Sequence, residues 1–482
     1  MNDNVSVVPS NSEGSLGAAP RYNLRGNRER DYSHRLDHLM DDNTNTKSYD
    51  TQFQLLQDAA ADLSQAPEKM YNYIYGHVMT QMTATAGIKK HGGRAIDALF
   101  NEFCQLDDKS VFEPIMATTL SKQQKLDALR AINLIKEKRC GKLKGRTCAD
   151  GRSQRGKYSK EQTASPTVST DELMLSLMID ALEQRDVATA DVVGAYLLAY
   201  MKDFVVLKLT RAAVNIMCKA NSKYENFLTM EHGKRVLYLR LQKALYGCVQ
   251  SALLWYELFS NTLKGEGFLL NSYDPCIANK EINGTQCTIA WYVNDNKVSH
   301  VDEAVVTDIL QKIEQKFGKM TITRGKEHTF LGMKITFNDD KTVKIIMEEY
   351  VQEAISDFKE DITTVATTPA NKNLFNVNPQ SPRLDKAKSD RFHSVVAKLL
   401  YISKRGRLDI QLAIAFLCTR VSCCTDEDWT KLKRVLRYLH GTLHEFLVLG
   451  ADCLTRLRTW VDAAYGVHHD MKSHTGGAIS LG

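Results

Sequence analysis

Between residues 169 and 318 the hydrophobic pattern passes from helix to strand and back to helix, and that succession limits the fold more than any other feature of the chain. Ser169, followed three residues on by Glu172, is the capping-box signature of a helix start. Behind it Leu175, Ile179 and Leu182 recur at helical spacing. Two runs of strand character follow, 188–197 and 204–209. The runs 287–293 and 297–301 flank Asn294-Asp295-Asn296, which predicts a β-hairpin with a polar turn. Val305, Val306, Ile309, Leu310, Ile313 and Phe317 mark a further amphipathic helix, stopped by Gly318. This order is α+β, with helices expected on one face of an antiparallel sheet.

Two acidic positions stand out in this framework. Asp191 interrupts the apolar run Ala190-Asp191-Val192-Val193-Gly194-Ala195-Tyr196, where a carboxylate is costly unless it is paired or binds a cation. Asp295 comes about a hundred residues later, at the hairpin tip beside Trp291 and Tyr292. Acidic groups on neighbouring strands of one sheet can hold divalent cations for phosphoryl transfer, one activating a hydroxyl and one steadying the leaving phosphate. Taken alone, the residues also admit plainer readings. Asn and Asp are what a tight turn prefers, and Asp191 also suits a strand end with a lysine nearby.

At 482 residues the chain is too long for one core, so roughly two to four domains are expected. Its net charge is only +6, but the charge is uneven. Residues 134–160 hold ten Lys or Arg against Glu137 and Asp150, which suits either a solvated face or a phosphate-binding surface. The 11 cysteines form no CxxC pairs, which argues against zinc and a disulfide framework and for a reduced, intracellular setting. No apolar run approaches membrane-spanning length. Residues 1–85 are polar with little periodicity and are expected to be a flexible linker.

In order and separation, the segments 191–197 and 292–295 resemble the two acidic motifs of reverse transcriptases. Other segments resemble the copia-type branch of that family. Lys144-Gly145-Arg146 is similar to its fingers motif, and Ser165-Pro166-Thr167 to the segment before its palm helix. Leu245-Tyr246-Gly247 with Leu254-Trp255-Tyr256 resembles its tyrosine-glycine and tryptophan-tyrosine block, and Phe330-Leu331-Gly332-Met333 its primer-grip turn. Leu399-Leu400-Tyr401, Arg407-Leu408-Asp409-Ile410, Trp429 and Arg437-Tyr438-Leu439-His440-Gly441-Thr442 resemble the tether into a ribonuclease H domain. On this ordered combination the chain is identified as a member of the copia-type LTR retrotransposon reverse transcriptases, a segment of a Pol polyprotein.

The resemblance implies a right-hand polymerase of fingers, palm and thumb over residues 86–375, with a helical tether over 376–455 and a truncated ribonuclease H start over 456–482. Within the first of these, fingers are expected near 90–190 and 211–250, palm near 186–210 and 251–340, and thumb near 341–375. It implies RNA-directed DNA synthesis on an RNA/DNA primer–template from deoxynucleoside triphosphates, with two Mg2+ ions or Mn2+ as cofactor. Asp191 and Asp295 would hold the metal with the Val192 carbonyl. Lys144 and Arg146 would bind the triphosphate, and Tyr196 would exclude a ribose 2′-hydroxyl, although it also reads as a core aromatic. Phe330, Leu331, Gly332 and Met333 would grip the primer. Other segments of the same polyprotein are possible partners, and no membrane is expected.

Two departures stand against that pattern. The hairpin tip should read Tyr-Val-Asp-Asp, but here it is Tyr292-Val293-Asn294-Asp295. Asparagine keeps the shape but supplies a neutral carbonyl where hard cations want a carboxylate. The expected rate loss is roughly two to four powers of ten, or roughly 3–5 kcal/mol of transition-state stabilisation. The alternative is an inactive nucleic-acid-binding relic of a transposable element. Near the end, Asp462 in Thr459-Trp460-Val461-Asp462 resembles the first ribonuclease H carboxylate, and 473–481 resembles the next strand. His468 and His469 are expected to be loop histidines rather than metal ligands.

Overall fold

The computed structural model of the chain describes residues 81–137, 141–468 and 470–482. Residues 1–80 of the expected linker, 138–140 of the basic stretch, and His469 lie outside the described residues. Residues Gln81–Thr83, at the end of that linker, form a strand paired with 134–136.

Helix α1 (Gly93–Asp108) buries Ala95, Ala98, Leu99, Phe103 and Leu106, a stripe at helical spacing. It packs on strands β1 (Leu129–Glu137) and β2 (Leu143–Ala149), which pair antiparallel with Leu134 opposite Arg146. Along β2 Gly145, Thr147 and Ala149 are buried, whereas Lys144 is exposed and Arg146 partly so. Strand alternation therefore turns both basic residues away from α1. A Cβ on Gly145 would lie 2.4 Å from the Ala98 carbonyl oxygen, so only glycine lets strand and helix approach this closely. The backbone at Gly247 docks on the end of β2 in the same way. Its φ is +90° and a Cβ there would lie 2.0 Å from the Ala149 oxygen. The Ala149 N–H donates to the Tyr246 carbonyl at 2.7 Å.

This N-terminal sheet has seven strands and takes in Val206–Thr210, parallel to β1 through Leu129 and Leu207. The run expected at 204–209 thus lies here and not beside 188–197. It reads as apolar in either sheet, so its periodicity carries no information about its neighbour.

The second sheet has six strands. Helix α2 (Thr170–Leu182) leads into β3 (Asp186–Val192), and α3 (Ser251–Gly265) precedes β4 (Ile277–Ile282), β5 (Thr285–Tyr292) and β6 (Asp295–His300). Helix α4 (Glu303–Phe317) and β7 (Met320–Arg324) complete it. The order is β7-β3-β6-β5-β4 with Leu269–Leu270 at the edge, every pair antiparallel. The strand predicted over 188–197 ends at Val192, and Ala195–Leu198 forms a single 3-10 turn instead.

The two faces of this sheet differ. Ala190, Asn296, Trp291, Val298 and Ile289 share one face by register, where the rings of Trp255, Phe259, Trp291 and Phe317 meet at centroid distances of 5.2 to 5.7 Å. Helices α3 and α4 supply that apolar layer, and α4 buries all six residues predicted for it before Gly318 ends it at φ +87°. The other face carries Asp191, Thr189, Asp295, Lys297 and Ser299. There the buried Lys297 ammonium is bound by the buried Asp180 of α2, with the Arg185 guanidinium 3.9 Å from the same carboxylate. Such an ammonium is tolerable only with its counter-charge. Helices therefore cover both faces, not one as the pattern predicted.

The same ion pair corrects the reading of α2. Ser169 Oγ accepts the Glu172 N–H at 3.2 Å as expected. The buried side, however, is Leu173, Leu177, Asp180 and Ala181, while Leu175 is 39 % exposed. Asp180 counts as outward in any hydrophobic pattern, yet here it faces inward to reach Lys297.

A four-stranded sheet follows: β8 (Glu327–Phe330), β9 (Met333–Phe337), β10 (Val343–Ile346) and β11 (Leu447–Leu449). Between β10 and β11 lie α5 (Lys386–Ser403), Gln411–Thr419 and α6 (Asp426–Gly441). The predicted tether is helical over these stretches, but β11 returns to pair with β10 and ties it into the hairpin sheet. Among the described residues Arg458–Ala464 and His474–Ser480 pair only with each other. Among the described residues no helix is long and apolar enough to cross a membrane.

Gly145→Ala should force β2 off α1 and destabilise the fold by roughly 1–3 kcal/mol, measured as a lower melting temperature. Gly265→Ala, with nothing within 4 Å of its Cβ position, should leave the melt unchanged or raise it. Equal melts for the two variants would contradict this packing.

Candidate active site

The hairpin between β5 and β6 turns on two residues, Val293 and Asn294, with Tyr292 directly opposite Asp295. Asp295 and Asn296, predicted in the turn, are strand residues. Val293 stands at φ +59°, a left-handed conformation costly for a β-branched side chain, at a turn position that favours glycine. Three hydrogen bonds hold it there. Trp255 Nε1 donates to the Val293 carbonyl at 2.6 Å. The Asn294 carbonyl accepts from the Val192 N–H and from Asn296 Nδ2, each at 3.0 Å.

This turn fixes the register that sets Asp295 directly across from Asp191. Residues so placed share a face, with Cβ atoms roughly 4.5–5.5 Å apart. Among the described residues Asp191 has no ion pair, and the nearby lysine, Lys297, is committed to Asp180. The partner of Asp191 is Asn294, whose Nδ2 donates to Asp191 Oδ1. Burial, and then the negative charge of Asp191, pushes the Asp295 carboxyl up to about 7. Two carboxylates and the strand-end carbonyl of Val192 are hard oxygen donors of the kind Mg2+ or Mn2+ take. They fit one such cation. For two, the set is short of charge, because position 294 presents an amide donor to Asp191. Among the described residues no group of three His, Cys, Asp or Glu is arranged to hold a metal.

Others of the predicted residues lie beside one another. Tyr196 lies in the turn after β3 and is 5 % exposed, so it is a core aromatic. Its ring lies 4.9 Å from that of Tyr246, and the Arg146 guanidinium carbon lies 5.0 Å from the Tyr246 ring centre. Lys144 projects from the same side of β2 as Arg146. Burial raises the pKa of Glu102, while the Thr147 N–H and the charges of Lys144 and Arg146 oppose that rise.

Phe330 and Met333 are buried and close the β8–β9 hairpin over Leu331 and Gly332, at φ +48° and +72°. Two successive positive φ values are the type I′ arrangement. The Tyr401 hydroxyl of α5 donates to the Leu331 carbonyl at 2.5 Å. Burial pushes that phenol up to about 12, and the Asp295 charge acts on it in the same direction. His328 Nδ1 and Thr189 Oγ1, 3.2 Å apart, hold the hairpin beside β3.

Asp462 is not part of this assembly. It lies exposed on the terminal ribbon opposite Gly476 and accepts its neighbour's N–H at 2.9 Å. His468 contacts His474, with Nε2 and Nδ1 3.0 Å apart. Sequence reasoning found the acidic pair but missed the roles of Trp255 and Tyr401. The available signal was an aromatic with one polar atom in an apolar run, which when buried must find a partner.

Residues 118–372 match the family model described as reverse transcriptase (RNA-dependent DNA polymerase). The chain is similar to a transposon Ty5-1 protein of Saccharomyces cerevisiae, 27% identical over 243 residues that cover 50% of this chain and 77% of that protein. It is similar to the retrovirus-related Pol polyprotein from transposon TNT 1-94 of Nicotiana tabacum, 23% identical over 70% of this chain and 25% of the polyprotein. The Pol polyprotein from transposon RE1 of Arabidopsis thaliana is 24% identical over 71% of this chain, which spans 22% of that polyprotein. Among solved structures, a foamy viral protease-reverse transcriptase in complex with double-stranded DNA is 13% identical, covering 78% of this chain and 54% of that chain with a TM-score of 0.38.

The raised Asp295 pKa has a definite sign in stability. An unfolded aspartate ionises near pH ~4, whereas the folded one keeps its proton to about 7. Stability contributed by this group should therefore fall as pH rises from ~4 to ~7 and level off above. Asp295→Asn should flatten that decline in a melting-temperature profile. An unchanged slope would show that the carboxyl titrates normally.

Proposed function

Because the chain belongs to the reverse transcriptase family, in the form carried by copia-type Pol polyproteins, we propose that Asp191 and Asp295 are the catalytic pair of an RNA-directed DNA polymerase, impaired by Asn294. The observation that carries this reading is the amide of Asn294 bonded to Asp191 Oδ1, the oxygen a cation would need. Asp191, Asp295 and the Val192 carbonyl would hold Mg2+ or Mn2+, and a divalent ion there supplies Lewis acidity toward a 3′-hydroxyl and a triphosphate. Asn294 brings no charge to that task. Near neutral pH Asp295 is only partly ionised, which weakens the pair further.

The remaining roles follow from position. Arg146, through its bidentate fork, and Lys144 would take the triphosphate of a deoxynucleotide. Tyr196, packed on Tyr246, would close the ribose side of that pocket. The turn Phe330-Leu331-Gly332-Met333, anchored by Tyr401, would seat the primer end of an RNA/DNA primer–template. On this reading 86–375 is the polymerase body, 376–455 the tether and 456–482 the start of a ribonuclease H domain with Asp462 as a carboxylate. Other segments of a polyprotein would be its partners. A second reading, an inactive nucleic-acid binder, is favoured by the placement of Lys144 and Arg146 on a separate sheet from Asn294.

Primer extension tests the proposal. Wild type should extend barely above background with Mg2+, and Asn294→Asp should raise the rate by a factor on the order of a hundred or more. Asp191→Ala in that background should abolish the gain. Wild-type extension equal to Asn294→Asp, or none by a well-folded Asn294→Asp protein, would contradict it. Primer–template binding should weaken steeply with salt in every variant, and Lys144→Ala with Arg146→Ala should reduce nucleotide binding more than duplex binding.

A further inference from the structure

We propose that the cavity between α6 and the segment 365–374 is a binding site for a phosphate-class anion, held by Arg434 and Arg437. The cavity measures about 380 Å3, within the range of small-molecule sites. Arg434, Arg437, Lys431, Thr430, Thr367 and Asn371 are among its lining residues, and no acidic residue lines it. The two arginines lie three positions apart on α6, so their side chains are neighbours on one helix face.

Helix α6 neutralises its other cations. Glu427 lies 3.2 Å from Lys431, which also donates to the Asn376 carbonyl, and Glu360 lies 2.8 Å from Lys433. Arg434 and Arg437 have no ion pair among the described residues. Among the described residues Arg434 makes one side-chain hydrogen bond, from Nη2 to Thr368 Oγ1 at 2.8 Å, and Arg437 makes none. The Nε atoms of both are sealed from solvent without an acceptor. The sealed Nε atoms are out of a ligand's reach, but the two guanidinium charges have no counter-ion among the described residues, and apart from the Thr368 bond their Nη groups are the donors that an anion would take. Planar donor forks on adjacent turns match the oxygens of a phosphate or phosphodiester. Threonine hydroxyls and an amide complete the wall with groups that bond phosphate oxygens.

The ligand chemistry has two sources, a free phosphate and a backbone phosphate of a nucleic-acid strand, and nothing in the site depends on Asp191 or Asp295. The test uses the full chain in thermal melts and calorimetric titrations with inorganic phosphate and with the dinucleotide dTpdT, against chloride at matched ionic strength. Phosphate or dTpdT should raise the wild-type melting temperature by ~2 °C or more relative to chloride. The double variant Arg434→Ala with Arg437→Ala should bind at least tenfold more weakly and lose the rise. In chloride alone it should melt no lower than wild type, which separates lost binding from lost folding. Tighter binding of dTpdT than of phosphate assigns the site to a nucleic-acid strand, and the reverse to a free anion; either supports the site. No rise in wild type, or an equal rise in the double variant, overturns it.

Discussion

A β-branched residue at φ +59° closes the hairpin that carries Asp295, and the arrangement of the site depends on that turn being held. Left to itself Val293 would relax, and a slip of one residue would move Asp295 to the opposite face of the sheet. The Trp255 indole prevents this from one side, and the Val192 and Asn296 donors from the other. Each of these groups is buried, where an unmet hydrogen bond would be costly. Backbone strain of ~1–3 kcal/mol is thereby sustained where two carboxylates must meet. The aromatic layer of Trp255, Phe259, Trp291 and Phe317 is the fixed base from which the indole acts.

Electrostatics then decides what the held turn can do. Asp191 and Asp295 stand opposite each other in register, and burial first, then the negative charge of Asp191, raises the pKa of Asp295. A third carboxylate at position 294 would add to that charge in the absence of a cation. The amide of Asn294 relieves it with a hydrogen bond to Asp191. On the proposed function, the amide that suits the metal-free site would also withhold a charge that draws metal into it. Stability without a cation and affinity for one are opposed here.

How much of this was legible in the sequence varied with what each residue faces. Asp191 and Asp295 could be placed side by side because the resemblance of 191–197 and 292–295 to two acidic motifs decided against the plainer turn and strand-end readings that the residues alone left open. Helix α4 was legible in full, since all six of its predicted core positions are apolar and Gly318 ends it. The orientation of α2 was not, because Asp180 and Lys297 bury a charge pair that reads as surface. The hairpin tip was misread by two residues. Asn and Asp are turn formers, and nothing local signals that Trp255, 38 positions away, would let valine take the turn. The partner of Tyr401 was illegible for the same reason: the Leu331 carbonyl is a backbone atom 70 positions distant.

The central claim is that the Asn294 amide occupies the carboxylate that a divalent cation needs. Equilibrium binding of Mn2+ at pH 8, followed by electron paramagnetic resonance without nucleotide or nucleic acid, measures this directly, since Asp295 is then ionised. The account predicts that wild type takes up Mn2+ at least tenfold more weakly than Asn294→Asp, and that Asp191→Ala removes the difference. Equal affinity in wild type and Asn294→Asp would mean that the amide is no obstacle, and would contradict the account.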